Sequence, residues 1–155
     1  MSVKKILVPV DDSKGARASV AACARLFSDT PFESVILLHV RQLGGTTLAH
    51  DRISDAELST VQEDLQGTKV EDDLEHSSKT ILDSHKAFLE KSGMTRIKAV
   101  SKPGHVAETI IETAGEEGVD VIIIGNTRST LDKLFMGDVT KEVANRATVP
   151  VLLAK

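Results

Sequence analysis

Short runs of branched aliphatic residues, separated by segments with helical spacing, constrain this chain more than any other feature. Ile6-Leu7-Val8-Pro9-Val10, Ser34-Val35-Ile36-Leu37-Leu38-His39-Val40 and Val119-Asp120-Val121-Ile122-Ile123-Ile124 are near-continuous rather than alternating. Strands of that kind belong to parallel sheets covered on both faces. Residues 96–100 and 149–153 are weaker runs, and Pro150 near the start of the last suits an edge or first-residue position. Between the runs, apolar residues recur with the ~3.6-residue period of helices packed on a sheet. The four stripes are Ala16, Val20, Cys23, Ala24 and Phe27; Val70, Leu74, Ile81, His85 and Leu89; Val106, Ile110, Ile111 and Ala114; and Val139, Val143, Ala144 and Ala147. Ser13 and Asp138 are the expected N-caps of the first and last.

The alternation predicts a three-layer, doubly wound α/β fold with a five-stranded parallel sheet and right-handed crossovers. At 155 residues the chain is expected to form a single domain over 1–155. Ligands of such sheets bind beyond the carboxyl ends of the strands, where strand order reverses. The residues after Val10, Val40 and Ile124 are therefore the expected site. The stretch 41–68 fits the alternation least. It holds a Gly44-Gly45-Thr46-Thr47 turn and a helical hint at Leu58, Val61 and Leu65. Nine acids stand between Asp51 and Glu75 against Arg52 and Lys69, which reads as a solvated face with a loop, or as a lid or docking segment.

Several function classes fall away. A net charge of −4 argues against general binding to nucleic acid or anionic membranes. With no Trp or Tyr and only four Phe, an aromatic platform for stacked bases is not available. One cysteine, Cys23, excludes an internal disulfide or a Cys-rich zinc site, and it lies on an apolar stripe. His39, His50, His76, His85 and His105 show no metal-ligand spacing, so no metal site is expected. The chain has no G-x-S-x-G elbow, Walker motif or G-x-G-x-x-G, and no catalytic residues are expected. The N-terminal apolar run is too short for a signal peptide and no run approaches a membrane span, so a cytoplasmic protein is expected. Asp11-Asp12 is similar to the start of a phospho-accepting receiver, but no third strand ending in Asp follows soon after the second.

The C-terminal third is more specific. A buried strand ends at Gly125, a polar loop runs from Asn126 to Met136, and Gly137-Asp138 opens a helix. A strand, a glycine where backbone can approach a ligand closely, and a helix N-terminus together form an anion site. In ILVPVDDS, LLHV and the block VDVIIIG…MGDVTKEV…VPVLLAK, the chain resembles the universal stress protein family over essentially its whole length. The resemblance implies strand order 3-2-1-4-5 and a homodimer joined near the last strand, through Val149, Val151 and Leu153. It also implies a stress-response or regulatory role without catalysis. In one subgroup it implies ATP bound through G-x2-G-x9-G-[ST]. Carried over, Asp11 meets the adenosine part, Pro9 and Val10 belong to the same nucleotide site, and Val40 and Ile124 flank the adenine. Gly125, Thr127, Arg128, Gly137, Asp138, Val139 and Thr140 lie along the phosphates.

That motif is altered here. Arg128 stands at the second glycine, eight residues rather than nine separate it from Gly137, and Asp138 replaces the Ser or Thr. A carboxylate ~4 Å from a phosphate repels it by about 4 kcal/mol at an effective dielectric of ~20. Three rescues stand open. Arg128 could bind phosphate itself, Asp138 could act through Mg²⁺, or the two could pair and close the pocket. The expectation is weak or absent ATP binding in an adenine-nucleotide pocket. The alternative is a switch that retains MgATP, with slow hydrolysis.

Overall fold

The computed structural model describes residues 3–42, 69–125 and 136–155, with the side chains of 69–71 and 136–138 left aside. The glycine turn at 44–47 and the helical hint at 58–65 lie outside these residues. The elements run β1 (Lys5–Pro9), α1 (Lys14–Phe27), β2 (Ser34–Arg41), α2 (Lys69–Lys91), β3 (Ile97–Pro103), α3 (Val106–Glu117), β4 (Val121–Gly125), α4 (Met136–Arg146) and β5 (Val151–Ala154). The five strands form one sheet in the order β3-β2-β1-β4-β5, and all four pairings are parallel.

The apolar runs are continuous because each strand feeds two cores. Ile6, Val8, Val35, Leu37, Val121 and Ile123 point to one face, with Ala16, Val20 and Cys23 of α1 and Leu82 and Leu89 of α2. Leu7, Ile36, Leu38, Val40, Ile122 and Ile124 point to the other, with Ala107, Ile110 and Ala114 of α3 and Val143 of α4. The period of two along a strand divides one unbroken run between two helical layers. Burial pushes the Cys23 thiol up to about 12, so it is a core residue without thiolate chemistry.

Helix stripes differ in detail from their expected positions. On α2 the buried face is Ser78, Leu82, His85 and Leu89, with Leu74 and Ile81 half-buried. Ser78 belongs to that face because hydrogen bonds satisfy it. On α3 the core takes Thr109 and Thr113 while Ile111 is only half-buried, and Thr113 Oγ1 donates to Thr109 O at 2.7 Å. On α4, Ala144 is exposed and Thr140 is buried instead. A short polar side chain that bonds locally can occupy an apolar stripe at little cost.

Caps and ties set the ends. Ser13 Oγ accepts from Ala16 N at 3.2 Å, so the expected cap of α1 holds. Helix α4 begins at Met136, which places Asp138 inside the first turn rather than at the N-cap. Gly118 closes α3 in the left-handed conformation at φ 63°. Asp120 Oδ2 accepts from Lys5 N at 2.9 Å and Lys4 N at 2.8 Å, joining the start of β1 to β4. Those two amides, that of Lys5 first, hold the Asp120 carboxyl below the usual carboxylate range.

Candidate functional site

Strand order reverses between β1 and β4, and a cleft of about 290 Å³ opens there beyond the strand ends. Its lining brings together five residues picked from the sequence, namely Pro9, Val10, Asp11, Val40 and Ile124. Leu38, Val106 and Ile110 complete an aliphatic wall on the α3 side. His39, Arg41, Gln42, Leu74 and Ser77 form the opposite, more polar wall. The alternation of β2 explains the division, since Leu38 and Val40 face one helical layer while His39 and Arg41 face α2.

Asp11 is placed by local chemistry. The last ladder bond of its strand is Val10 N to Leu38 O at 2.8 Å. Asp11 Oδ1 then accepts from Ser13 N at 2.8 Å, an Asx-turn that aims the carboxylate as the chain enters α1. His85 Nε2 lies 2.8 Å from Asp11 O. A carbonyl only accepts, so this nitrogen carries the proton.

The polar wall is wired to α2. His39 Nδ1 stands 2.7 Å from Ser78 Oγ, which stands 2.6 Å from Ser101 Oγ on β3. One turn further up, Arg41 Nη1 lies 3.6 Å from Glu75 Oε1. Burial pushes the His39 imidazole below the usual histidine range, against the opposing pull of the Asp11 and Asp12 carboxylates. The lining residues missed in the sequence are Leu38, His39, Leu74, Ser77, Val106 and Ile110, while Arg41 and Gln42 fall in the stretch after Val40 that was expected there. A signal existed for His39, because it alternates with Val40 at the end of a strand pointing into the expected site.

The residues expected along the phosphates fare differently. Thr127 and Arg128 lie outside the described residues. Gly125 ends β4, and a Cβ there would collide with the backbone of Gly15, its Cα at 2.8 Å and its carbonyl closer still. The glycine is required by the approach of α1 to β4, a reason distinct from ligand approach. Gly137 and Asp138 lie in the first turn of α4. Thr140 is buried, with Oγ1 3.5 Å from Gly125 O, and so helps dock α4 on the end of β4. Val139 lines a neighbouring recess of about 340 Å³ with Gln42, His105, Val106, Glu142 and Arg146. The cleft thus gathers the expected adenosine-side residues, while Val139 and Thr140 stand outside its lining.

At the far edge, Val149 and Val151 pack partly against the α3–α4 core, and Leu153 is 46% exposed. Among the described residues no three His, Cys, Asp or Glu side chains converge as a metal site. Nor is any described helix long and apolar enough to cross a membrane.

The doubly wound parallel sheet places its aliphatic cleft and a carboxylate at the strand-order reversal, where ligands of such α/β folds bind. Residues 2–155 match the universal stress protein family. The chain is 31% identical to universal stress protein MJ0577 of Methanocaldococcus jannaschii, over 98% of this chain and 94% of that protein. The solved structure of MJ0577 superposes with a TM-score of 0.75 at 29% identity, covering 100% of this chain and 97% of that one. Two more distant structures share the fold. A universal stress protein in complex with cAMP has a TM-score of 0.67 at 17% identity, covering 99% and 98% of the two chains. A family protein from Arabidopsis thaliana with AMP bound has a TM-score of 0.66 at 16% identity, covering 98% and 91%. The chain belongs to the universal stress protein family.

Proposed function

We infer that this protein binds an adenine nucleotide in the cleft between the ends of β1, β2 and β4. On this reading it holds the nucleoside end firmly and the triphosphate tail weakly. The observation that carries it is the meeting of Pro9, Val10, Asp11, Val40 and Ile124 around one cleft of about 290 Å³. An aliphatic slot shields the faces of a purine, and one carboxylate suits the hydroxyls of a ribose. Two distant relatives of the same fold were solved with cAMP and with AMP, which supports the nucleoside assignment. The weak tail follows from Arg128 in place of glycine, Asp138 in place of Ser or Thr, and the shortened spacing.

The protein acts without catalysis, as a stress-response or regulatory homodimer. Strand β5 lies at the sheet edge with Leu153 half exposed, and pairing with a second copy across a two-fold axis covers both backbone and side chain.

Calorimetric titration with AMP, with ATP and with MgATP tests the reading. AMP binding is expected, with ATP no tighter than AMP and R128G/D138S tightening ATP. MgATP binding at least tenfold tighter than AMP would establish the triphosphate switch instead.

A further inference from the structure

We propose that His85, on the buried face of α2, is a positioning residue for Asp11 and sets the affinity of the cleft; the inference rests on the nucleotide reading above. Asp11 is the first residue beyond the ladder, because β1 ends at Pro9 and the last sheet bond on this segment belongs to Val10. Its own Asx-turn to Ser13 N fixes the side chain relative to the start of α1. The one long-range hydrogen bond on Asp11 among the described residues comes from His85, 74 positions along the chain, at 2.8 Å.

The surroundings give that bond its importance. Asp11 is a partition between two hollows. In front lies the nucleotide cleft. Behind lies a larger space of about 530 Å³ between α1 and α2, bounded by Asp11, Asp12, Val20, Ile81, His85 and Phe88. Close packing would normally hold a backbone segment in place, but among the described residues neither side of Asp11 is filled. The His85 tether spans the gap instead. His85 is only 7% exposed, so its imidazole is held in a desolvated place, where a hydrogen bond is stronger than in water. A leucine would cover the same face of α2 without the cost of burying a polar ring. The imidazole thus makes α2 a wall that determines where the Asp11 carboxylate stands, without touching the nucleotide.

The test compares the full chain with His85→Leu, His85→Gln and Leu82→Ala. Each is measured for AMP affinity by calorimetry, for stability by urea denaturation, and for hydrogen exchange at the Ser13 amide. His85→Leu is expected to weaken AMP about tenfold, equivalent to ~1.4 kcal/mol, and to speed Ser13 exchange. His85→Gln, which retains a donor, restores both readouts to within about threefold, less than ~1 kcal/mol. Leu82→Ala lowers stability while leaving AMP affinity and Ser13 exchange near wild type. Unchanged Ser13 exchange in His85→Leu overturns the inference, as does a Leu82→Ala variant that loses affinity to the same degree. If wild type binds no AMP while His85→Leu still frees the Ser13 amide, the nucleotide reading fails and the tether stands.

Discussion

The two walls of the cleft are built on opposite principles. The α3 side is an extension of the hydrophobic core, with Leu38, Val40, Ile110 and Ile124 running from the sheet interior to the cleft surface. The α2 side is a set of specific bonds, Arg41 to Glu75, His39 through Ser78 to Ser101, and His85 to the Asp11 carbonyl. An apolar wall tolerates volume-conserving changes, because its energy scales with area and packing. A wall made of specific polar contacts weakens when one partner is removed, most where the partner left behind is buried, as Ser78 and His85 are. The first has the chemistry to cover a flat apolar surface, such as the base proposed above. The second holds charge and polarity in register.

The largest effect is expected at the end of β4, where α1 packs against Gly125. Gly125→Ala places a Cβ against the Gly15 backbone, which no rotamer change relieves. A loss of at least ~3 kcal/mol in urea denaturation is expected, at the upper end of overpacking penalties. A variant as stable as wild type would mean that α1 can step away from β4.

Next come the cores behind each wall. Leu89→Ala and Ile110→Ala, both at fully buried positions, should each cost about 2–5 kcal/mol. Only Ile110→Ala also widens the cleft it lines, so it alone is expected to weaken AMP beyond its effect on folding. Equal effects on AMP from both would erase the distinction between the walls.

A smaller effect is expected from Ser78→Ala, which leaves His39 Nδ1 and Ser101 Oγ without their shared partner. The cost should be about 1 kcal/mol, because exposed Ser101 can turn to water and only the half-buried His39 loses its partner. Ser78→Thr, which keeps the hydroxyl, is expected to recover part of it.

The smallest is a pH effect. Because the folded state holds His39 below its ordinary value of 6.5, the unfolded chain takes up the proton first. The contribution is therefore full above pH ~6.5 and is lost as pH falls below it. Thermal unfolding between pH 7.5 and 5.5 should show this decline, with a shallower slope in His39→Gln. Identical slopes would remove His39 as its source.

Much of the fold was legible because hydrophobic runs and helical stripes are local properties. The strand order, however, came from the family resemblance, since spacing alone does not order parallel strands. That Pro9, Val10, Asp11, Val40 and Ile124 share a cleft was legible for a related reason, as they terminate strands whose ends lie at one edge of any doubly wound sheet. His85 was read as one more member of an apolar stripe, and nothing in its neighbours revealed a bond to a carbonyl 74 residues away. Gly125 was picked out for the right position and given a different reason, because its crowding comes from Gly15 on another element. Asp138 was placed at a cap, and the helix starts two residues earlier.

By itself, then, the amino-acid order determined the alternation of strands and helices, the double burial of the central strands and the end of the sheet where a ligand would sit. Each follows from periodicity and burial, which need only near neighbours. The tertiary structure decided which polar side chains face one another across the cleft, and that Asp11 stands between two hollows under the hold of a distant imidazole. Those outcomes depend on how helices register against the sheet. That register is a property of the packed molecule, set by contacts between residues far apart in the chain.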